Sequence, residues 1–247
     1  MKVSVVIPTR GDTDLRAVLD ALAAQRDAPA YEVLVEVDGA GEGVSVVRNR
    51  AAAKASGELL GFLDDDTIPD ADWLQKLADA LSGPHAAVAG RITESGTATL
   101  NRLRALAFNH RHATNGVLVD YLNGGNFGIR TDVFRALGGF NPTYRKSQDR
   151  ELARRTLQAG HTIHYRPDLH ITHQGHYTLK SLTQGRYRAG AAAATMQRNG
   201  PQSVGPLTLR TTYGASLPHL TRTQGPALAL TALLSTTAHH LGRASKL

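Results

Sequence analysis

Three consecutive carboxylates, Asp64, Asp65 and Asp66, follow a short apolar run from Leu59 to Leu63 and precede Pro69. Adjacent like charges repel one another, so the cluster makes chemical sense where a divalent cation sits among them. Hard cations such as Mg²⁺ and Mn²⁺ take oxygen ligands and often share them with substrate phosphates. The plainer alternative is a solvated acidic turn that caps the next helix, where Asp is favoured anyway. Two further polar groups stand at the ends of apolar runs: Pro8-Thr9-Arg10 after Val3 to Ile7, and Asp38-Gly39 after Tyr31 to Val37.

These runs must be elements that aim their ends at one place. Val3 to Ile7 is β-branched or small throughout and reads as a strand buried on both faces. Leu15, Val18, Leu19 and Leu22 give a helical face behind Asp14. Tyr31 to Val37 is a second strand, and Val44 to Ser56 an Ala-rich helix. Leu59 to Leu63 is a third strand, a helix follows from about Asp70 to Leu81, and Ala86 to Ile92 is a fourth strand. Strand and helix alternate from residue 1 to 92, which predicts a parallel sheet with helices on both faces. Such sheets bind ligands at the carboxyl ends of their strands, where the three polar groups converge.

The middle of the chain is less regular. Thr99 to His112 predicts a helix and Val117 to Leu122 a strand. Asn123-Gly124-Gly125-Asn126 predicts a loop whose glycines let backbone approach closely. A helix follows Ser147-Gln148-Asp149 and runs to about Ala159, and 161–172 contains a strand pair broken at Pro167. Leu182 to Gln197 predicts a helix, 199–226 a loop-like stretch, and Pro226 to Leu241 an apolar helix too short to span a bilayer.

Composition excludes several classes. The chain has 247 residues, 28 Lys and Arg against 21 Asp and Glu, and a net charge of +7. That balance suits an anionic partner, a nucleotide or a phospholipid surface. No lysine tract, aromatic–basic interleaving or zinc-finger spacing supports nucleic acid. There is no cysteine, which removes disulfides, thiolate metal sites and a cysteine nucleophile, and fits a reducing, cytoplasmic setting. The N-terminus reads as a first strand, not a signal peptide. No glycine-rich phosphate loop of the Rossmann or Walker kind follows the first strand.

Taken in order, Val3-Ser4-Val5-Val6-Ile7-Pro8-Thr9-Arg10, Asp38-Gly39, Arg48-Asn49, Leu63-Asp64-Asp65-Asp66, Gly124-Gly125-Asn126, Gly138-Gly139-Phe140 and Gln148-Asp149 with Glu151-Leu152 resemble the inverting, nucleotide-sugar-dependent glycosyltransferases of family two. The resemblance covers about residues 2 to 175. It implies the GT-A fold, a Rossmann-like mixed, mostly parallel sheet with helices on both faces, here with a helical C-terminal extension. The expected division is a catalytic domain over 1–180, with a nucleotide half over 1–92 and an acceptor half over 93–180, and the extension over 181–247.

The resemblance also implies roles. Pro8, Thr9, Arg10 and Asp38 would hold the nucleotide, with Asp38 accepting a bond from the ring N–H of uracil or thymine. Val37 stands where the family often has a second acid. Arg48 would meet the base or phosphate; the alternative is a solvated helix arginine. Asp66 would contact a Mg²⁺ or Mn²⁺ ion on the diphosphate, with Asp64 or Asp65 on ribose or metal. His173 would be a further metal ligand by analogy, with a surface or packing role as the alternative, since it is set among five histidines between 161 and 176. Asp149 would be the general base, or alternatively only a helix cap. Gln148 replaces the family's usual Glu beside it. Gly124, Gly125 and Asn126, with Gln148, would face sugar or acceptor.

The processive members' Gln-x-x-Arg-Trp is absent, the nearest stretch being Gln184-Gly185-Arg186-Tyr187-Arg188. Single-sugar transfer from a UDP- or dTDP-sugar to an unidentified acceptor is the expectation. A nucleotidyltransferase and a catalytically inactive nucleotide-sugar-binding protein are the alternatives. Residues 226–247 could lie on the inner face of a membrane, or dock on the body of the protein or on a partner subunit, homo-oligomers included.

Overall fold

The computed structural model describes residues 1–113, 117–198 and 209–246. In chain order the elements are β1 (Val3–Thr9), α1 (Arg16–Ala23), β2 (Tyr31–Val37), α2 (Val44–Ala53), β3 (Leu59–Leu63), β4 (Thr67–Pro69), α3 (Trp73–Leu81), β5 (Ala87–Glu94) and α4 (Thr99–Ala113). Then come β6 (Asn126–Arg130), α5 (Thr131–Ala136), α6 (Gln148–Gln158), β7 (Ile163–His173), α7 (Leu179–Arg198), α8 (Leu209–Tyr213), α9 (Leu217–Gln224) and α10 (Pro226–Ala244).

Seven strands make one mixed sheet in the order β2-β1-β3-β6-β5-β7-β4. β1 pairs in parallel with β2 and with β3. The parallel run expected through residue 92 stops there, because β6 inserts between β3 and β5 and is antiparallel to both. Aromatic packing accounts for the insertion. Phe127 of β6 lies opposite Phe62 of β3, their rings stacked at 4.5 Å, and Phe134 and Phe140 close on Phe62 at 5.5 and 5.3 Å. Such pairs add to the burial of large apolar surface. On the other face, Gly61 and Gly128 are register partners. A Cβ on Gly61 would lie 2.8 Å from the Trp73 ring and one on Gly128 3.0 Å from Leu77, so the two glycines make the hollow that seats α3.

Three expectations fail on local grounds. Val117 to Leu122 is not a strand: Leu118 makes one isolated bridge to His164, and Val117 and Leu118 are exposed. The stretch 161–172 holds no strand pair: from Ile163 onward it is one strand, β7, with Pro167 exposed within it, a position tolerated where no ladder N–H is needed. The stretch read as loop beyond 199 contains α8 and α9; residues 199–208 lie outside the described residues.

By compactness the chain divides into Met1–Thr93 with Asn115–Gln174, and Glu94–Thr114 with Gly175–Leu247. The first unit holds the sheet. The second gathers α4 with α7 to α10 around Leu103, Leu182, Tyr213, Leu220, Leu228, Ala229 and Ala232. α7 and α10 approach so closely at Gly190 and Gly242 that a Cβ on either would strike the other helix's backbone.

The edge of the sheet is tied by Glu32. Its carboxylate accepts bonds from the Ser4 hydroxyl (2.7 Å), the Ser56 N–H (2.8 Å) and the Ser56 hydroxyl (2.7 Å). These bonds hold its pKa down at about 2. The folded value lies below the unfolded one, so this stabilisation is complete above the ordinary Glu range and is lost as pH falls toward 2. Glu32→Gln should cost about 1–2 kcal/mol at pH 7. In urea titrations the gap between variant and wild type should close as pH drops from about 4.5 toward 2; a gap independent of pH would contradict this.

Candidate active site

β3 carries the acidic triplet to the carboxyl edge of the sheet. There the chain turns, with the Thr67 N–H (3.3 Å) and hydroxyl (2.7 Å) both bonded to the Asp64 carbonyl. β4 then pairs with β7 in a register that sets Thr67 opposite His173. In consequence the Gln174 N–H bonds the Asp66 carbonyl at 2.8 Å, and His173 Nε2 stands 3.3 Å from Asp66 Oδ1. One ligand atom each from Asp64, Asp66 and His173 lie within 4.8 Å of one another. Two carboxylates and an imidazole fit Mn²⁺ or Mg²⁺. Burial pushes the Asp66 carboxyl above its ordinary range, Asp64 and Asp65 push it further, and His173 pulls it back.

A glycine loop faces this cluster. The Asn126 N–H bonds the Asn123 carbonyl (2.8 Å), and the Asn123 amide bonds the Gly90 carbonyl (2.7 Å), which fixes the loop's ends. Gly125 lies against Asp64: a Cβ there would sit 2.6 Å from Oδ2. The Gly124 N–H donates to Asp149 Oδ2 at 3.0 Å, and its carbonyl accepts from Arg48 Nη2 at 2.6 Å. The same Nη2 donates to Asp64 Oδ1 at 2.6 Å. Two glycines therefore connect the Asp64 carboxylate, the arginine and the carboxylate expected to act as base.

Arg48 is not the solvated helix arginine held open as an alternative. It is 1% exposed, packs over the Phe140 ring at 5.5 Å, and its Nε and Nη1 make no hydrogen bond. Asp149 is not the helix cap: Ser147 is, with φ of +61°, and Asp149 lies in the first turn of α6, its Oδ1 bonded to the Arg150 N–H at 2.9 Å. A positive φ on a non-glycine residue is uncommon and marks a constrained backbone. Gln148 is buried with its Oε1 unbonded. Asn126 is a correction: it is fully buried, accepts from Trp73 Nε1 (2.8 Å) and donates to the Arg91 and Leu169 carbonyls (2.8 Å each). Its amide anchors the loop and leaves no surface for a sugar.

At the other end of the edge, Pro8 and Thr9 are buried, and the Asp38 N–H bonds the Thr9 carbonyl at 2.8 Å. The Asp38 carboxylate accepts the Glu42 and Gly43 N–H groups at 2.7 and 3.0 Å and shapes the loop into α2, while Arg10 is exposed. Asn49 has no role legible by sequence, yet its amide clasps the Phe140 backbone through both N–H (2.8 Å) and C=O (2.7 Å). Glu151 is buried between Arg154 and Arg155, and Arg155 reaches on to the Leu137 and Gly139 carbonyls.

A mixed sheet with an Asp-Asp-His cluster at its carboxyl edge is the arrangement the GT-A fold presents. The comparisons agree. Residues 36–138 match the family model for glycosyl transferase family 2. The sheet with its flanking helices has the GT-A fold. It is 27% identical over 179 residues to a pre-mycofactocin glycosyltransferase of Mycobacterium tuberculosis, covering 68% of this chain and 38% of that protein. It is 24% identical over 225 residues to the O-antigen chain rhamnosyltransferase RfbN of Salmonella typhimurium, covering 77% and 72%. Among solved structures, the mannosyltransferase PcManGT of Pyrobaculum calidifontis in complex with GDP-Man and Mn²⁺ matches with a TM-score of 0.60 and 17% identity, over 96% of this chain and 74% of that one. S. aureus TarS 1–349 in complex with UDP matches at 0.53 and 14%, over 99% and 91%. At such identities the structural likeness speaks to fold.

The raised Asp66 carboxyl has a direct consequence for stability. Its folded value stands above the unfolded one, so its charge at neutral pH works against the metal-free fold. Asp66→Asn should raise the stability of the protein in EDTA at pH 7 by about 0.5–1 kcal/mol, discounted for partial exposure. A thermal midpoint below wild type would contradict the cost of burying this charge.

Proposed function

We propose that the chain transfers a single sugar from a UDP- or dTDP-sugar to an acceptor hydroxyl with inversion at the anomeric carbon. The observation that carries the reading is the connection of Asp64, Arg48 and Asp149 through Gly124 and Gly125, beside Asp66 and His173. In this reading Pro8, Thr9, Arg10 and Asp38 bind the nucleoside. Asp64 and Asp66, with His173, hold a divalent cation, and Asp65 contributes negative charge beside them. Such an ion, when bound, neutralises the charge that grows on the departing diphosphate.

Asp149 takes the proton of the acceptor hydroxyl as the acceptor oxygen bonds to the anomeric carbon. The bond from that carbon to the diphosphate breaks on the opposite face, and the nucleoside diphosphate leaves with the electron pair. Gly124 positions Asp149 through its N–H. The buried, unbonded Gln148 Oε1 is available to accept a bond from sugar or acceptor. Arg48 acts through Asp64, holding the carboxylate while keeping its own charge buried.

The nucleotidyltransferase alternative lacks support, since Arg10 and Gly11 are all that follows β1 in place of a basic, glycine-rich loop. The inactive-binder alternative is separated by experiment. Asp149→Asn should lower turnover at least about 100-fold while leaving affinity for the nucleotide, read by calorimetry with UDP, dTDP and GDP in the presence and absence of Mn²⁺, within about twofold. Normal turnover by the variant would remove Asp149 as base, and no metal-dependent affinity for any of the three would remove the nucleotide reading.

A further inference from the structure

Helix α10 has two faces of different fate. Leu228, Ala229, Ala232, Ser235, Thr236, His239 and Gly242 are buried in the second unit. On the other face Leu230 is 57% exposed, Leu233 39%, Leu234 40% and Leu241 61%. Their spacing of three, four and eleven residues from Leu230 places them along one stripe of the helix. Four leucines aligned toward solvent are more than the scattered surface apolar residues that need no explanation. No described helix is long and apolar enough to cross a membrane.

The charge around this stripe is one-sided. Residues 1–168 hold 20 Lys and Arg against 21 Asp and Glu; residues 169–247 hold eight Lys and Arg and no acid, so the whole net charge of +7 comes from −1 and +8. Within the second unit the sequence has one acid, Glu94. Its side chain is wholly buried and paired with Arg104 at 2.9 Å. No side-chain carboxylate is therefore offered to a partner by the described surface of this unit. Arg222 precedes α10, Arg243 stands in its last turn and Lys246 follows it, so cations flank the leucine stripe at both ends.

We propose that this face docks on an anionic phospholipid bilayer, with α10 in the plane of the interface. Leucines entering the acyl boundary by about 5–10 Å, with basic residues at the headgroups, is the pattern of an interfacial helix. Each Lys or Arg near an anionic leaflet strengthens the association. A nucleic acid would use the cations but not the leucines. A second copy of this chain would cover the leucines but bring two positive faces together, which like-charge repulsion opposes.

Flotation of the full chain with vesicles tests the proposal. The protein should float with phosphatidylcholine vesicles containing about one-third phosphatidylglycerol, not with phosphatidylcholine alone, and high salt should weaken the association. Leu230→Glu with Leu241→Glu should lower vesicle affinity about tenfold or more, with an unchanged thermal midpoint and unchanged donor hydrolysis. The milder pair Leu230→Gln with Leu241→Gln serves if the Glu pair lowers the midpoint. Equal flotation of wild type and variant, no flotation with anionic vesicles, or a vesicle-independent dimer that the variant dissolves in sedimentation would each overturn it.

Discussion

One buried cation organises the carboxyl edge of the sheet. Arg48 projects from α2 into a place where it is almost wholly removed from water, and a guanidinium there must be compensated. A single nitrogen, Nη2, supplies that compensation twice, to Asp64 and to the Gly124 carbonyl. Asp64 keeps about a third of its side chain exposed, so the pair has one member in the core and one in the cleft. Through it the position of a strand end, a glycine loop and the first turn of α6 depend on one another. Breaking such a pair leaves a buried charge alone, which generally costs about 3–5 kcal/mol.

Much of this was legible from residue types. Val3 to Ile7 and Leu59 to Leu63 are continuous apolar runs that end on polar groups, and runs of that kind become central strands whatever surrounds them. Thus the first three strands, their helices and the placement of Asp38 and Asp64 to Asp66 on one edge follow from local pattern. Arg48 was harder. α2 is rich in Ala, and a small-residue helix does not reveal which of its faces is covered.

The rest depended on partners distant in sequence. Asn126 to Arg130 looks like a continuation of a glycine loop, and only Phe62, Trp73 and the Arg91 and Leu169 carbonyls make it a central strand. Val117 to Leu122 looks like a strand and finds no ladder. The meeting of Asp66 with His173 is set by the β4–β7 register, which no local window contains. In the second unit, sequence gave the apolar helix but not its covered side. That required knowing that Gly190 and Gly242 bring α7 and α10 into backbone contact, leaving the leucine stripe outside.

The proposed transfer depends on Asp66 and His173, brought together by strand register, holding a cation together with a nucleotide. Electron paramagnetic resonance of Mn²⁺ reads this without a known acceptor. With a nucleoside diphosphate present, beyond what the nucleotide takes up alone, wild-type protein should reduce the signal of free Mn²⁺, while Asp66→Ala and His173→Ala should leave most of it. Equal loss of signal with all three proteins would contradict the account.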